Sequence, residues 1–170
     1  MNDFETLVHE RKNDTLNVLF VCASNICRSP YAEFWFKRLL NDLPVLKNRV
    51  TVASGAVFNR SRNMFPKTRI LMLGEGWTEE EIARHVPAYK RDYPERFNNA
   101  DVIIGMTRMQ KILCPHREKF LTLSEAVTDH YIKIRDPWTQ KTQPEFDTIM
   151  HQISTCMPQL MSRIEGLLKR

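Results

Sequence analysis

Apolar residues gather in four short runs, at residues 17–22, 49–53, 101–106 and 119–123. Two of these, VLFV (18–21) and DVIIGM (101–106), are almost wholly apolar. A parallel strand covered on both faces has that pattern. Between the runs the period lengthens. Residues 30–43 carry apolar side chains at Tyr31, Phe34, Trp35, Leu39 and Leu43, a helical spacing. Residues 63–73 read as a helix stopped at Gly74. Thr78 with Glu81 three residues on has the form of a capping box and predicts a short helix. Residues 145–168 are periodic throughout, with Pro158 inside, where a kink or break is expected. Strands alternating with helices predict an α/β fold. The expected architecture is a single domain of three layers, with a central, mostly parallel four-stranded sheet and helices on both faces.

Residues 1–15, MNDFETLVHERKNDT, are polar and of mixed charge. They read as an N-terminal extension, in part helical, ahead of a domain spanning 16–170. They lack the apolar stretch of a signal peptide, and no run approaches the length of a membrane span. The expected address is the cytoplasm, with no membrane partner.

Composition changes this picture little. The chain has 170 residues, 42% of them hydrophobic, enough for one domain with a real core. The net charge of +5 suits an anionic ligand and equally suits an ordinary solvated surface, so it does not discriminate. It gives no ground for a nucleic-acid partner. Cys22, Cys27, Cys114 and Cys156 form no CxxC pair, and the five histidines lack metal-ligand spacing. No disulfide framework, metal or cofactor is expected.

The chemistry concentrates in NVLFVCASNICRSPYAEFWF, residues 17–36. The strand ends at Cys22, and Ser29 and Pro30 suit the N-cap and first position of the next helix. Residues 22–28 therefore form the strand-to-helix loop at the carboxyl end of a parallel strand, where open α/β sheets bind ligands. A helix N-terminus adds free N–H groups and the positive end of the macrodipole, a place for phosphate. A thiol beside that terminus and an arginine is favoured as the thiolate, which can attack phosphorus. Arg28 can hold two phosphate oxygens through its planar fork, which lysine cannot copy. Cys-x5-Arg alone is a weak signal, since free cysteine is often simply buried. The preceding strand, the Ser-Pro helix start and the hydroxyl beside the arginine shift the balance.

VLFVCASNICRSPYAE (18–33) closely resembles the signature of the low-molecular-weight protein tyrosine phosphatases, V-L-F-V-C-x-G-N-I-C-R-S-P-x-A-E. The likeness extends over about residues 17–168 through the order of elements: Ser54-Gly55, then DVIIGM, a late Asp136-Pro137-Trp138, and a C-terminal helix. The resemblance implies that Cys22 is the nucleophile. The backbone N–H groups of Ala23, Ser24, Asn25, Ile26, Cys27 and Arg28 would cradle the phosphate, with Arg28 as clamp. Asn25 would brace the loop, Ser29 would donate to the thiolate, and Asp136 would serve as general acid and then base. Trp138 would wall the substrate ring. Cys27 is either a partner for a reversible disulfide with Cys22 or a small packing residue. The implied activity is hydrolysis of phosphotyrosine proteins or small aryl phosphates, with inorganic phosphate and vanadate as inhibitors.

Several positions depart from the family pattern. Ser24 stands where glycine is usual, and would be strained if that position needs a positive φ. Ala53-Ser54-Gly55-Ala56 replaces Ser-Ala-Gly-Thr, so the serine bracing Asn25 is either lost or shifted to Ser54. Thr107 replaces an acidic residue. Residues 77–98 are longer than usual, which would alter a wall of the cleft. A protein arginine phosphatase on this fold tends to carry threonine at the place of Ile26. An arsenate reductase would need a closely spaced second cysteine pair, which Cys114 and Cys156 do not supply. A non-catalytic phosphate binder is the alternative of another class. Arg60, Arg62 and His85 are expected on the solvated surface, and Cys114 and Cys156 in packing roles.

Overall fold

The computed structural model describes residues 3–170. Its sheet consists of β1 (Leu16–Cys22), β2 (Val50–Ala56), β3 (Val102–Gly105) and β4 (Phe120–Thr122). They are ordered β2-β1-β3-β4 and parallel throughout. Central β1 is apolar because both its faces are covered. Val18, Phe20 and Cys22 point into the larger core, while Leu19 and Val21 point into a smaller one with Val57, Phe97, Ile103 and Phe120. The predicted α/β architecture, with helices on both faces, is the observed one.

Helix α1 (Asp3–His9) places Phe4 and Val8 in the larger core. Helix α2 (Arg28–Asn41) follows β1 and packs on the long α9 (Gln143–Leu168). Between them come α3 (Pro44–Lys47), α4 (Pro66–Gly74), α5 (Glu79–Ala83), α6 (Pro94–Asn99), α7 (Met109–Leu113) and α8 (Leu123–Thr128). The capping box at Thr78 has both of its hydrogen bonds. Thr122 and Glu125 form a second one. Four short helices, α3, α6, α7 and α8, have no counterpart in the sequence-based reading, because one or two turns leave too little periodicity to read. Among the described residues no helix is long and apolar enough to cross a membrane.

Two expectations fail. Ser29 is not the N-cap: α2 begins at Arg28, with Cys27 at the cap and no side-chain capping bond. The Ser29 hydroxyl is engaged by Cys22 and Asn25 instead. Nor does Pro158 break its helix, since α9 runs on for 26 residues. An interior proline costs about 3 kcal/mol. Burial of Ile153, Met157, Leu160, Met161 and Ile164 along one face offsets that at roughly 1.5–3 kcal/mol each.

Candidate active site

β1 delivers Cys22 to the carboxyl edge of the sheet, opposite Ala56 of β2. The chain then turns through residues 23–27 into α2. The Cys22 Sγ lies 2.9 Å from the Ser29 hydroxyl and accepts the Ser29 N–H at 3.4 Å. The Ser29 hydroxyl, which accepts from Asn25 Nδ2, is placed to donate to the sulfur.

Asn25 holds the turn. It is fully buried and left-handed, with φ at 57°, a conformation that asparagine tolerates better than most residues. Its Nδ2 donates to the hydroxyls of Ser29 and Ser54, both at 2.8 Å, and its Oδ1 accepts from Ala88 N at 2.9 Å. Its carbonyl accepts from His85 Nε2 at 2.8 Å. Ser54 is thus the brace on the second strand. Ser24 is spared the strain expected of it, because the positive φ falls on Asn25. The Ser24 hydroxyl donates instead to Asn59 Oδ1 at 2.5 Å.

His85 corrects the reading of a solvated surface residue. It is half-buried behind the loop, and burial pulls its pKa below the ordinary value. Arg60 and Arg62 are exposed as expected, with Arg60 paired to Asp92. No residue of 77–98 lines the cavity; His85 and Ala88 of that segment back the loop.

Arg28 is 4% exposed. Its Nη1 donates to the Ile134 carbonyl at 2.8 Å, and its Nη2 lies 3.4 Å from Asp136 Oδ2. Its Nε is buried with no hydrogen-bond partner among the described residues. A buried donor of this kind, on a cation, calls for an anionic ligand. Asp136 caps the one-turn 3-10 helix Pro137–Thr139, accepting Trp138 N–H at 3.2 Å. It is the fold that brings this carboxyl to Arg28, over a hundred positions along the chain.

The cavity so formed is about 470 Å³. Cys22, Ala23, Ser24, Ile26, Cys27 and Arg28 form its loop side, and Asp136 and Trp138 stand on the opposite rim. Phe58, Asn59, Ser61 and Phe65 supply a wall that the sequence reading missed. They follow β2, and the rule that ligands lie at the carboxyl ends of parallel strands marks that segment too. Backbone bonds tie it to the loop: Phe58 N and Asn59 N donate to Ala23 O, and Phe65 N donates to Ile26 O.

Cys27 is buried, with its Sγ 3.7 Å from Met150 Sδ, and desolvation pushes its pKa up. Cys114 belongs to the core on the other side of the sheet, where burial pushes its pKa up to about 12. Cys156 is half-buried beside the larger core. All four thiols are free. The described residues contain no group of His, Cys, Asp and Glu placed to hold a metal ion.

A cavity at the carboxyl edge of a parallel sheet, with a thiol at its base and a carboxyl and a buried arginine beside it, suits a small oxyanion. Residues 17–169 match the family model described as low molecular weight phosphotyrosine protein phosphatase, and the chain belongs to that family. It is 27% identical to the protein-arginine-phosphatase of Bacillus subtilis (strain 168), over 82% of this chain and 95% of that protein. It is 26% identical to the human low molecular weight phosphotyrosine protein phosphatase, over 84% of this chain and 91% of that one. Among solved structures it resembles a YwlE mutant from Bacillus subtilis, with a TM-score of 0.75 at 25% identity over 89% of this chain and 99% of that one. It also resembles a low molecular weight protein tyrosine phosphatase from the same organism, with a TM-score of 0.70 at 27% identity over 89% and 98%.

Proposed function

We propose that this phosphatase hydrolyses phosphotyrosine and related aryl phosphate monoesters through a phosphocysteine intermediate. The observation that carries this reading is the convergence of Cys22, Arg28 and Asp136 on one cavity, with Arg28 within 3.4 Å of Asp136 and its Nε free for an oxyanion.

The Cys22 thiolate attacks phosphorus as the bond to the aryl oxygen breaks. Asp136 gives that oxygen its proton. Backbone N–H groups of residues 23–28 and the Arg28 fork take up the equatorial oxygens, where charge spreads in the transition state. Asp136 then takes a proton from water, the water oxygen bonds to phosphorus, and the P–S bond breaks. The Ser29 hydroxyl, 2.9 Å from sulfur, stabilises the thiolate that leaves. Inorganic phosphate and vanadate would occupy the same cradle and compete with substrate.

Phe58, Phe65 and Trp138 beside the cavity favour a flat ring over a short alcohol, so phosphoserine should be a poor substrate. The Bacillus relative keeps a second reading open, dephosphorylation of arginine. A phosphoguanidinium asks for carboxylates to pair with its cation. Asp136 is the sole carboxylate lining the cavity among the described residues, and it already faces Arg28. Ile26 adds aliphatic surface to the loop, where an arginine phosphatase tends to have threonine. Both features support the aryl ester. An arsenate reductase relay is disfavoured, because Cys114 lies across the sheet from Cys22. Steady-state kinetics on phosphotyrosine, phosphoserine and phosphoarginine peptides decide among these. The expected result is the highest kcat/KM for phosphotyrosine. A higher value for phosphoarginine would transfer the assignment, and turnover of none would leave a binding protein.

A further inference from the structure

The segment 129–136 leads from the end of α8 to Asp136. Its far half is held by backbone contacts. Ile132 N donates to Ser124 Oγ at 2.7 Å, Ile134 N donates to Met106 O at 3.1 Å, and Ile134 O accepts from Arg28. Its near end is Asp129, where the chain leaves α8 in a left-handed conformation with φ at 66°. A non-glycine residue in that region carries strain unless its surroundings hold it there.

Arg163 of α9 holds both sides of this exit. Its Nη1 donates to Ala126 O at 2.7 Å, and its Nη2 donates to Asp129 Oδ1 at 3.0 Å. The first acceptor is one of the carbonyls that a helix end leaves without an intrahelical partner. A planar fork spanning two acceptors fixes an angle as well as a distance. The guanidinium is itself fixed by α1. It packs over the Phe4 ring, 5.2 Å from the centroid, and Glu5 Oε1 lies 4.0 Å from Nη2. The side chain is 18% exposed in this setting. Helix α1 lies outside the segment matched by the family, residues 17–169.

We propose that α1 and Arg163 form a positioning clamp for the acid: a helix outside the family-matched segment sets, through Arg163, the angle at which the chain leaves α8 toward Asp136. The proposal rests on the reading of Asp136 as the general acid. Its effect falls on proton transfer rather than on phosphate binding. The contacts that brace the phosphate loop come from Ser29, Ser54, His85 and Ala88, none of them on α1 or in contact with Arg163.

The test uses the full chain carrying Arg163→Met, which keeps an unbranched side chain and removes both hydrogen bonds together with the guanidinium's contacts to Phe4 and Glu5. For phenyl phosphate, a poor leaving group, kcat/KM, which covers only the steps up to departure of the phenol, should fall about three- to tenfold, since small misplacements of a reacting group are costly. For p-nitrophenyl phosphate it should stay within about twofold, because that phenolate departs without full protonation. Competition by inorganic phosphate should not change. Arg163→Lys should recover part of the loss, and Glu5→Gln should show the same selectivity more weakly. If Arg163→Met does not fold, Glu5→Gln decides by the same ratio. Arg163→Met in an Asp136→Ala background should add nothing on phenyl phosphate. Equal losses on the two esters, or an additive loss in that double variant, would overturn the clamp. A flat leaving-group profile for Asp136→Ala would remove the acid and the clamp together. A steep profile for Asp136→Ala beside a flat one for Arg163→Met would remove the clamp alone.

Discussion

The phosphate loop and the Asp136 segment meet at one cavity and are held in opposite ways. In the loop, the Asn25 side chain is fully buried and bonded to Ser29, Ser54 and Ala88, while its carbonyl is held by His85. On the other rim, Asp136 has a side chain 37% exposed and Trp138 is 63% exposed. The carboxylate is held by the Trp138 N–H and by Arg28. The difference suits the two tasks proposed for them. Binding an oxyanion with backbone N–H groups rewards donors that do not reorganise as charge develops. A proton donor that later activates water must reach both the leaving group and solvent. Arg28 belongs to both regions, through the loop it ends and through Ile134 O and Asp136.

Arg28→Lys breaks both sides of the comparison at once. The bidentate fork and the bond to Ile134 O cannot both be replaced by one ammonium. Turnover should fall by about a hundredfold or more, on good and poor leaving groups alike. Cys22→Ser should abolish turnover while far-UV and near-UV circular dichroism stay native, since a hydroxyl is not ionised at neutral pH. Wild-type rates within a few-fold in either protein would remove that residue from its role.

Asp136→Ala separates the two regions. Phosphate competition should survive, because the loop is untouched. The kcat/KM for phenyl phosphate should fall by on the order of a hundredfold, and that for an activated aryl phosphate by much less. A penalty independent of the leaving group would make Asp136 structural.

Asn25→Ala gives the converse pattern, with rates falling by roughly tenfold whatever the leaving group. The substitution strips partners from Ser54, Ser29 and Ala88, and each buried group left unsatisfied costs about 1–3 kcal/mol. Alanine in the left-handed region adds about 1–2 kcal/mol. Urea unfolding should therefore show a loss of about 3 kcal/mol or more. A stability within 1 kcal/mol of wild type would mean that the loop holds its shape without this network.

The same division explains what could be read from the sequence. The loop is contiguous, so Cys22, Asn25, Arg28 and Ser29 lie in one motif behind an apolar strand, and the sheet itself is written in apolar runs. Asp136 could be picked out only through the family's Asp-Pro pattern, because its partner Arg28 is distant in sequence. Phe58 and Phe65 gave no signal of their own; they reach the cavity through backbone bonds to Ala23 and Ile26. His85 looked like a surface residue because nothing local shows that its ring meets the Asn25 carbonyl. Ser29 fitted the sequence rule for an N-cap, and its hydroxyl was drawn off by the thiol and Asn25.

Cys27 sharpens the view of the loop as packed structure. Its thiol is buried against Met150, and desolvation disfavours its thiolate, which makes it a slow partner for oxidised Cys22. Turnover of Cys27→Ser should stay within a few-fold of wild type. After mild peroxide and a thiol reductant, poorer recovery of Cys27→Ser would assign Cys27 a protective disulfide. Equal recovery would leave it as packing.

The smallest effect concerns the support behind the loop. Burial holds the pKa of His85 below its ordinary 6.5, with the bond to the Asn25 carbonyl and then Glu33 opposing that shift, and Arg96 and Lys37 adding to it. The native ring therefore resists a proton that the unfolded chain accepts. The stability contributed by the neutral ring is complete above about pH 6.5 and is lost as pH falls toward the native pKa, because the unfolded state then binds more protons. His85→Gln keeps an amide donor within reach of the Asn25 carbonyl and does not titrate. Between pH 7 and pH 5, urea unfolding should show wild type losing more stability than His85→Gln, by an amount discounted for the half-exposed ring. The other histidines and the carboxylates titrate in both proteins, so the difference between the two slopes isolates His85. Parallel slopes would mean that solvent reaches the ring freely, and the loop would then owe its shape to Asn25, Ser54 and Ala88 without a titrating support behind it.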